Sequence, residues 1–201
     1  MIFVDDLKGA IDAIMHPGKN TGKSMDIVQT LSMYYKVSFI PAVIFVVLAL
    51  IVTNMVSSAL GSLGSGTALG SGTAGLMLVV LGLTFLWIAM PIGLMIDAAL
   101  LHLFGKIVLK SFKGTYSNTF TGFVYGELPI VALFWVALLL SIVSPLLGIL
   151  AFVIIGIWTL VVSIIAIANQ NKTTAVNVII AAVLEIVVIF VLEVILAVLG
   201  L

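Results

Sequence analysis

The chain has 201 residues, of which 63% are apolar and 8% charged, with no formal net charge and a mean hydropathy of +1.41. A water-soluble domain could not bury that much hydrocarbon, so the composition excludes soluble enzymes and nucleic-acid-binding modules and predicts an all-α polytopic protein of a lipid bilayer. The chain has no cysteine, which removes disulfides, thiolate metal sites and a cysteine nucleophile.

Between Met1 and His16, Asp5, Asp6 and Asp12 interrupt what would have to be a basic start and an apolar run, so no cleavable signal peptide is expected. Phe3, Leu7, Ala10, Ile11 and Ile14 instead share one helical face opposite Asp5, Lys8 and Asp12. The polar face is acidic on balance, so this helix is expected to dock on its own bundle or on a partner rather than on anionic lipid. After Pro17 and Gly18, Ser24 is the expected cap of a second helix in which Met25, Val28, Leu31 and Tyr35 recur at helical spacing. Pro17–Ser24, PGKNTGKS, ends like a phosphate-binding loop, but it has proline where that pattern begins with glycine and no strand before it. It reads as a solvated, lysine-bearing turn.

Residues 1–36 thus form an amphipathic N-terminal segment, and 37–201 a membrane domain with spans at about 37–60, 75–104, 123–143, 145–168 and 175–199. Only Ser144 and Pro145 separate the third and fourth spans. A continuous helix there would run about 69 Å, more than twice the hydrocarbon thickness, so a helical hairpin is predicted, with Ser144 as cap and Pro145 in the first turn. Gly61–Gly75, GSLGSGTALGSGTAG, reads as a flexible connector.

The chain has no arginine, and its eight lysines are one-sided. Lys8, Lys19, Lys23 and Lys36 precede the first span, Lys106, Lys110 and Lys113 follow the second, and Lys172 follows the fourth. The positive-inside rule therefore predicts a cytoplasmic amino terminus and an external carboxyl terminus. Tyr34, Tyr35, Tyr116 and Tyr125 are expected at the same cytoplasmic boundary.

Acids within the spans carry the chemical interest: Asp97, Glu127, Glu185 and Glu193. An ionised group in hydrocarbon costs at least about 2.5 kcal/mol, so each needs a reason to be there. Counted from the predicted cytoplasmic ends, Glu127 falls roughly 6 Å deep, Asp97 roughly 10 Å and Glu185 roughly 15 Å, with His102 and Lys106 on the same side. Three readings follow. Asp97, His102, Glu127 and Glu185 could form a structural network, with Lys106 or Lys110 neutralising an acid and Asn54 bonding Glu185. They could form a proton or cation path. Asp97, His102 and Glu127 could also hold a metal ion, although no fixed ligand spacing supports that and no cofactor is expected. No Ser/His/Asp constellation or zinc-protease spacing is present, so an enzyme is not predicted. Ala137 and Ser141 of the third span, with Ser144, Gly148 and Gly156 of the fourth, form small faces that allow close backbone approach, and Trp87, Trp135 and Trp158 read as packing residues.

Around the join of the second and third spans, three segments stand out: Ala98-Ala99-Leu100-Leu101-His102-Leu103-Phe104, Gly114-Thr115-Tyr116-Ser117-Asn118-Thr119-Phe120, and Val124-Tyr125-Gly126-Glu127-Leu128-Pro129. With their Tyr125-x-x-x-Pro129 element, they resemble the Yip domain family, five-span membrane proteins that interact with Rab GTPases, and the short cytoplasmic start is similar to its prokaryotic members. The resemblance implies a non-enzymatic scaffold or adaptor in membrane organisation or vesicle trafficking. Its partners would be other membrane proteins, as homo- or hetero-oligomers, and a small GTPase. Its working face would be cytoplasmic, around Lys106, Lys110, Lys113 and Lys172. It further implies the cell membrane in a prokaryote, or endoplasmic reticulum and Golgi membranes in a eukaryote. The competing expectation is a small transporter or ion-conducting protein built on the intramembrane carboxylates.

Overall fold

The computed structural model describes residues 2–21, 23, 25–62 and 71–199. The expected Ser24 cap and most of the Gly61–Gly75 connector lie outside the described residues. Among these, eight α-helices follow in order: α1 (Ile2–Met15), α2 (Pro17–Asn20), α3 (Ile27–Ser62), α4 (Ser71–Thr84), α5 (Met90–Leu103), α6 (Tyr116–Val143), α7 (Pro145–Gln170) and α8 (Ala175–Leu199). π-Helical turns at Phe85–Ala89 and Phe104–Val108 join α4 to α5 and extend α5. Among the described residues, five helical stretches are long and apolar enough to cross a membrane: Ile27–Met55, Val79–Val108, Tyr116–Val143, Pro145–Gln170 and Ala175–Val198. This is the architecture of an integral membrane protein.

The centre of the bundle is the α6–α7 hairpin. Ser144 sits at the N-cap of α7 in extended backbone and Pro145 opens the helix, although the Ser144 side chain makes no capping bond. The two helices touch through glycine. A Cβ on Gly148 would fall 2.8 Å from the Cα of Ser141, one on Gly126 2.7 Å from the Cα of Ser163, and one on Gly122 2.8 Å from the Cα of Ile167. The expected Ser141–Gly148 contact is present, but Gly156 has nothing within 4 Å of a built Cβ and plays no part in it. Gly122 and Gly126, which precede the small face expected at Ala137 and Ser141, extend the close approach toward the lysine-bearing end.

Around the hairpin, Tyr34 and Val37 of α3, Leu94 and Ala98 of α5, and Phe120, Val124, Leu128 and Val131 of α6 form one core. Tyr34 and Tyr125 are buried in it, so only Tyr35 and Tyr116 keep the boundary character expected of all four tyrosines. A second core joins Leu101 and Phe112 to Ile167 and Ala168 of α7 and Val178 and Ala181 of α8.

The N-terminal segment is strapped onto this bundle. Ala10 and Ala13 of α1 are buried and Ile14 packs against the core, while Ile11 is half exposed, so the docking face is rotated from the one expected. Trp158 of α7 donates its indole N–H to the Ile14 carbonyl at 3.1 Å. The second N-terminal helix and the first span are one continuous helix, α3, with Val28 exposed. Asp26 caps it: the Asp26 carboxylate accepts from the Gln29 backbone N–H at 2.7 Å, and the Gln29 side-chain oxygen accepts from the Asp26 N–H at 3.3 Å.

Candidate functional site

Proline shapes the second span. Pro91 has no N–H to give to the helical carbonyl four residues earlier, that of Trp87, or to that of Leu86 in the π register. Both carbonyls are instead satisfied from α3. The Tyr34 hydroxyl donates to Leu86 at 2.6 Å and the Tyr35 hydroxyl to Trp87 at 3.0 Å, while the Trp87 indole N–H reaches the Ser38 hydroxyl at 3.2 Å. The π turn is thus held from the neighbouring helix, and it turns Phe85 and Leu86 toward a cleft beside α6. Tyr125 and Pro129 are a related pair: Pro129 deprives the Tyr125 carbonyl of its helical donor, and both residues are buried in α6. This element is part of the packing core.

Helix ends set the depth of the acids. Thr115 gives its backbone N–H (3.0 Å) and hydroxyl (2.7 Å) to Asn118 Oδ1, so α6 begins at Tyr116, seven residues before the expected start. The second span continues through its π turn to Val108. At 1.5 Å per residue from the lysine-bearing ends Val108, Tyr116 and Ala175, Asp97 and Glu127 then lie about 17 Å in and Glu185 about 15 Å in. The staggered depths expected for Asp97, Glu127 and Glu185 are therefore replaced by similar ones, about two-fifths of the way along each span from the lysine-bearing end.

Asp97 lies within electrostatic range of both Glu127 and Glu185. Glu185 is 8% exposed, Glu127 half-buried and Asp97 exposed on α5. Among the described residues no hydrogen bond or ion pair engages any of the three. The lysines expected to neutralise them are elsewhere. Lys106 donates to the Gly114 carbonyl at 2.8 Å, and Lys110, Lys113 and Lys172 are exposed around the helix ends. Lys110 and Lys172 adopt left-handed backbone, with φ of 51° and 50°. Lys172 follows the last turn of α7 as the left-handed residue of a Schellman cap, with its own N–H on Asn169 and that of Thr173 on Ala168. Asn54 is exposed and has no bond to Glu185.

His102 belongs to a different group. Its Nδ1 lies 2.7 Å from the Thr119 hydroxyl, which in turn donates to Asn171 Oδ1 at 2.9 Å. With its one proton given to Asn171, Thr119 accepts from His102, which assigns the His102 proton to Nδ1. Asn171 Nδ2 bonds the Ile167 carbonyl at 3.0 Å, and the Lys113 N–H bonds the Asn171 carbonyl at 2.9 Å. Neighbouring amides tie down the N-terminal strap: Asn169 donates to the Thr21 hydroxyl (2.9 Å) and the Pro17 carbonyl (3.3 Å), and Gln170 to the carbonyls of Thr21 and Lys23. Pro17 and Thr21 are buried while Gly18, Lys19 and Lys23 are exposed, so the segment is docked through Pro17 and Thr21 and keeps its lysines in solvent. The metal reading loses its histidine here, and among the described residues no three His, Cys, Asp or Glu side chains are grouped to hold an ion. The run Asn169-Gln170-Asn171 at the end of an apolar span was the available sequence signal for this polar layer.

Beside the acidic level is a cleft of about 370 Å³ whose lining includes Phe45, Phe85, Phe134, Phe152 and Glu127. Among the described residues, Glu127 is its one charged lining residue. Gly82 completes the wall, since a Cβ there would collide with the Phe45 ring. His102, Lys106 and Tyr116 line a separate cavity of about 440 Å³ nearer the lysine-bearing end. No family model matches the chain, and neither does any curated protein or solved structure.

Proposed function

We propose that this protein moves protons or small cations across the membrane through the level formed by Asp97, Glu127 and Glu185, with its amino terminus in the cytoplasm. The observation that carries this reading is the placement of three carboxylates from α5, α6 and α8 at similar counted depths, with Asp97 in electrostatic range of the other two and no lysine or hydrogen-bond donor engaged with them among the described residues. Carboxylates with a purely structural role at that depth would be expected to have such partners, because a lone charge in hydrocarbon is costly. Carboxylates placed along one level can take up and release protons, or exchange a proton for another cation, on the way across the bundle. The proposed orientation rests on the placement of all eight lysines.

The test is flux in liposomes containing only the purified protein. An imposed proton or cation gradient is expected to dissipate through the parent chain, and Glu185→Gln is expected to abolish that flux. A silent parent, or an unchanged variant, defeats the reading.

A scaffold or adaptor of the Yip kind is the second reading, and α8 is what favours it. Every residue from Ile186 to Val198 is exposed, Glu193 among them, so this half-helix has lipid or another protein around its whole circumference. Crosslinking in native membranes would then recover the same partner proteins repeatedly, and recovery of this chain alone would count against it.

A further inference from the structure

The cleft beside Glu127 has the chemistry of a receptor. Four phenylalanines from four helices surround it: Phe45 of α3, Phe85 of the π turn, Phe134 of α6 and Phe152 of α7. Phe45 and Phe134 are in ring contact, with centroids 6.1 Å apart. The volume of about 370 Å³ falls at the lower end of the range for small-molecule sites. An inorganic cation would find a single carboxylate there and no carbonyl or hydroxyl oxygens among the lining side chains to replace its water. A neutral apolar molecule would leave Glu127 unpaired. An organic cation meets both requirements, because aromatic faces attract a positive charge and also solvate the hydrocarbon that carries it.

We propose that the substrate of this site is a lipophilic organic cation, a monovalent ammonium with an aromatic or branched apolar body, bound among the four phenylalanines with its charge at Glu127. The proposal rests on the transport reading and gives it a substrate class. The π turn that Pro91 imposes, and that Tyr34 and Tyr35 hold, is what brings Phe85 and Leu86 to the cleft. The cation would therefore be recognised by α3, α6, α7 and the second span together.

Binding of benzyltrimethylammonium to the purified full chain in lipid nanodiscs, measured by calorimetry, tests this directly. The parent is expected to bind with one site, and Glu127→Gln to weaken binding by at least about tenfold through loss of the charge pair. Phe152→Ala, at a partly exposed wall residue whose removal leaves the core intact, is expected to weaken it about threefold or more. Glu193→Gln, outside the cleft, should bind as the parent does. No binding by the parent, or equal binding by the Glu127 and Phe152 variants when both keep the parent's melting temperature, overturns the proposal. The liposome experiment separates the two levels: proton flux without organic-cation binding refutes this inference alone, whereas Glu127-dependent binding without any flux supports the site and refutes translocation.

Discussion

The Tyr34 hydroxyl of α3 donates to the Leu86 carbonyl at 2.6 Å, across an interface between two membrane helices, at a carbonyl that Pro91 leaves without a helical donor. Tyr34 is 1% exposed, so no water or lipid headgroup can take its place. Tyr34→Phe is expected to destabilise the protein by about 1–3 kcal/mol, the cost of an unsatisfied buried acceptor. Tyr35→Phe should have a smaller effect, because Tyr35 is 40% exposed. Melting curves in detergent give the comparison, and equal shifts for the two variants would contradict the assignment.

The glycines of the hairpin are expected to behave unequally. Gly126→Ala places a methyl group 2.7 Å from the Ser163 Cα, against backbone that cannot move without separating α6 from α7. A loss of about 1–3 kcal/mol is expected there, as for overpacking of a close-packed core. Gly156→Ala meets nothing within 4 Å and should be neutral or slightly stabilising, since alanine favours helix. The same melting assay distinguishes the two, and a loss at Gly156 would show that this face has a partner.

Lys172 has φ of 50° at the end of α7, a conformation that costs a residue with a Cβ about 1–2 kcal/mol relative to glycine. Lys172→Gly is therefore expected to raise stability by about 1 kcal/mol in detergent. A fall in stability would mean that the ammonium group at this helix end contributes more than the backbone strain removes.

The polar layer predicts a coupled response. Asn171 is fully buried, accepts from Thr119 and donates to the Ile167 carbonyl. Asn171→Ala should cost about 1–3 kcal/mol and also release His102, whose ring is oriented through Thr119. Nitrogen-15 spectra of the His102 ring would report a change of tautomer. An unaltered spectrum would show that His102 is held some other way.

Because the chain has no cysteine, single cysteines report sidedness without background. In intact cells, Thr174→Cys is expected to be protected from an impermeant maleimide and Ser144→Cys to react. The opposite pattern would invert the topology, and with it the direction of any gradient the acids use.

The hydrophobic runs, the hairpin at Ser144-Pro145 and the one-sided lysines could be read directly from the amino acids, because partition into hydrocarbon is a local sum over about 20 residues and needs no knowledge of neighbours. The acids were legible as residues out of place, and the small faces at Ser141 and Gly148 as a close approach. Their relationships were not. The common level of Asp97, Glu127 and Glu185 depends on where α6 and the second span begin and end, which Thr115, Asn118 and a π turn determine. His102 is near the acids in sequence yet bonds Thr119, seventeen residues further on, because the loop after α5 folds back onto α7. The cleft at Glu127 likewise exists only where four helices meet. Membership of the membrane was thus determined by the sequence alone, through solvation of each segment. Which acids come within range of one another was decided only by tertiary structure, since interactions between charges depend on separations that hydropathy does not encode.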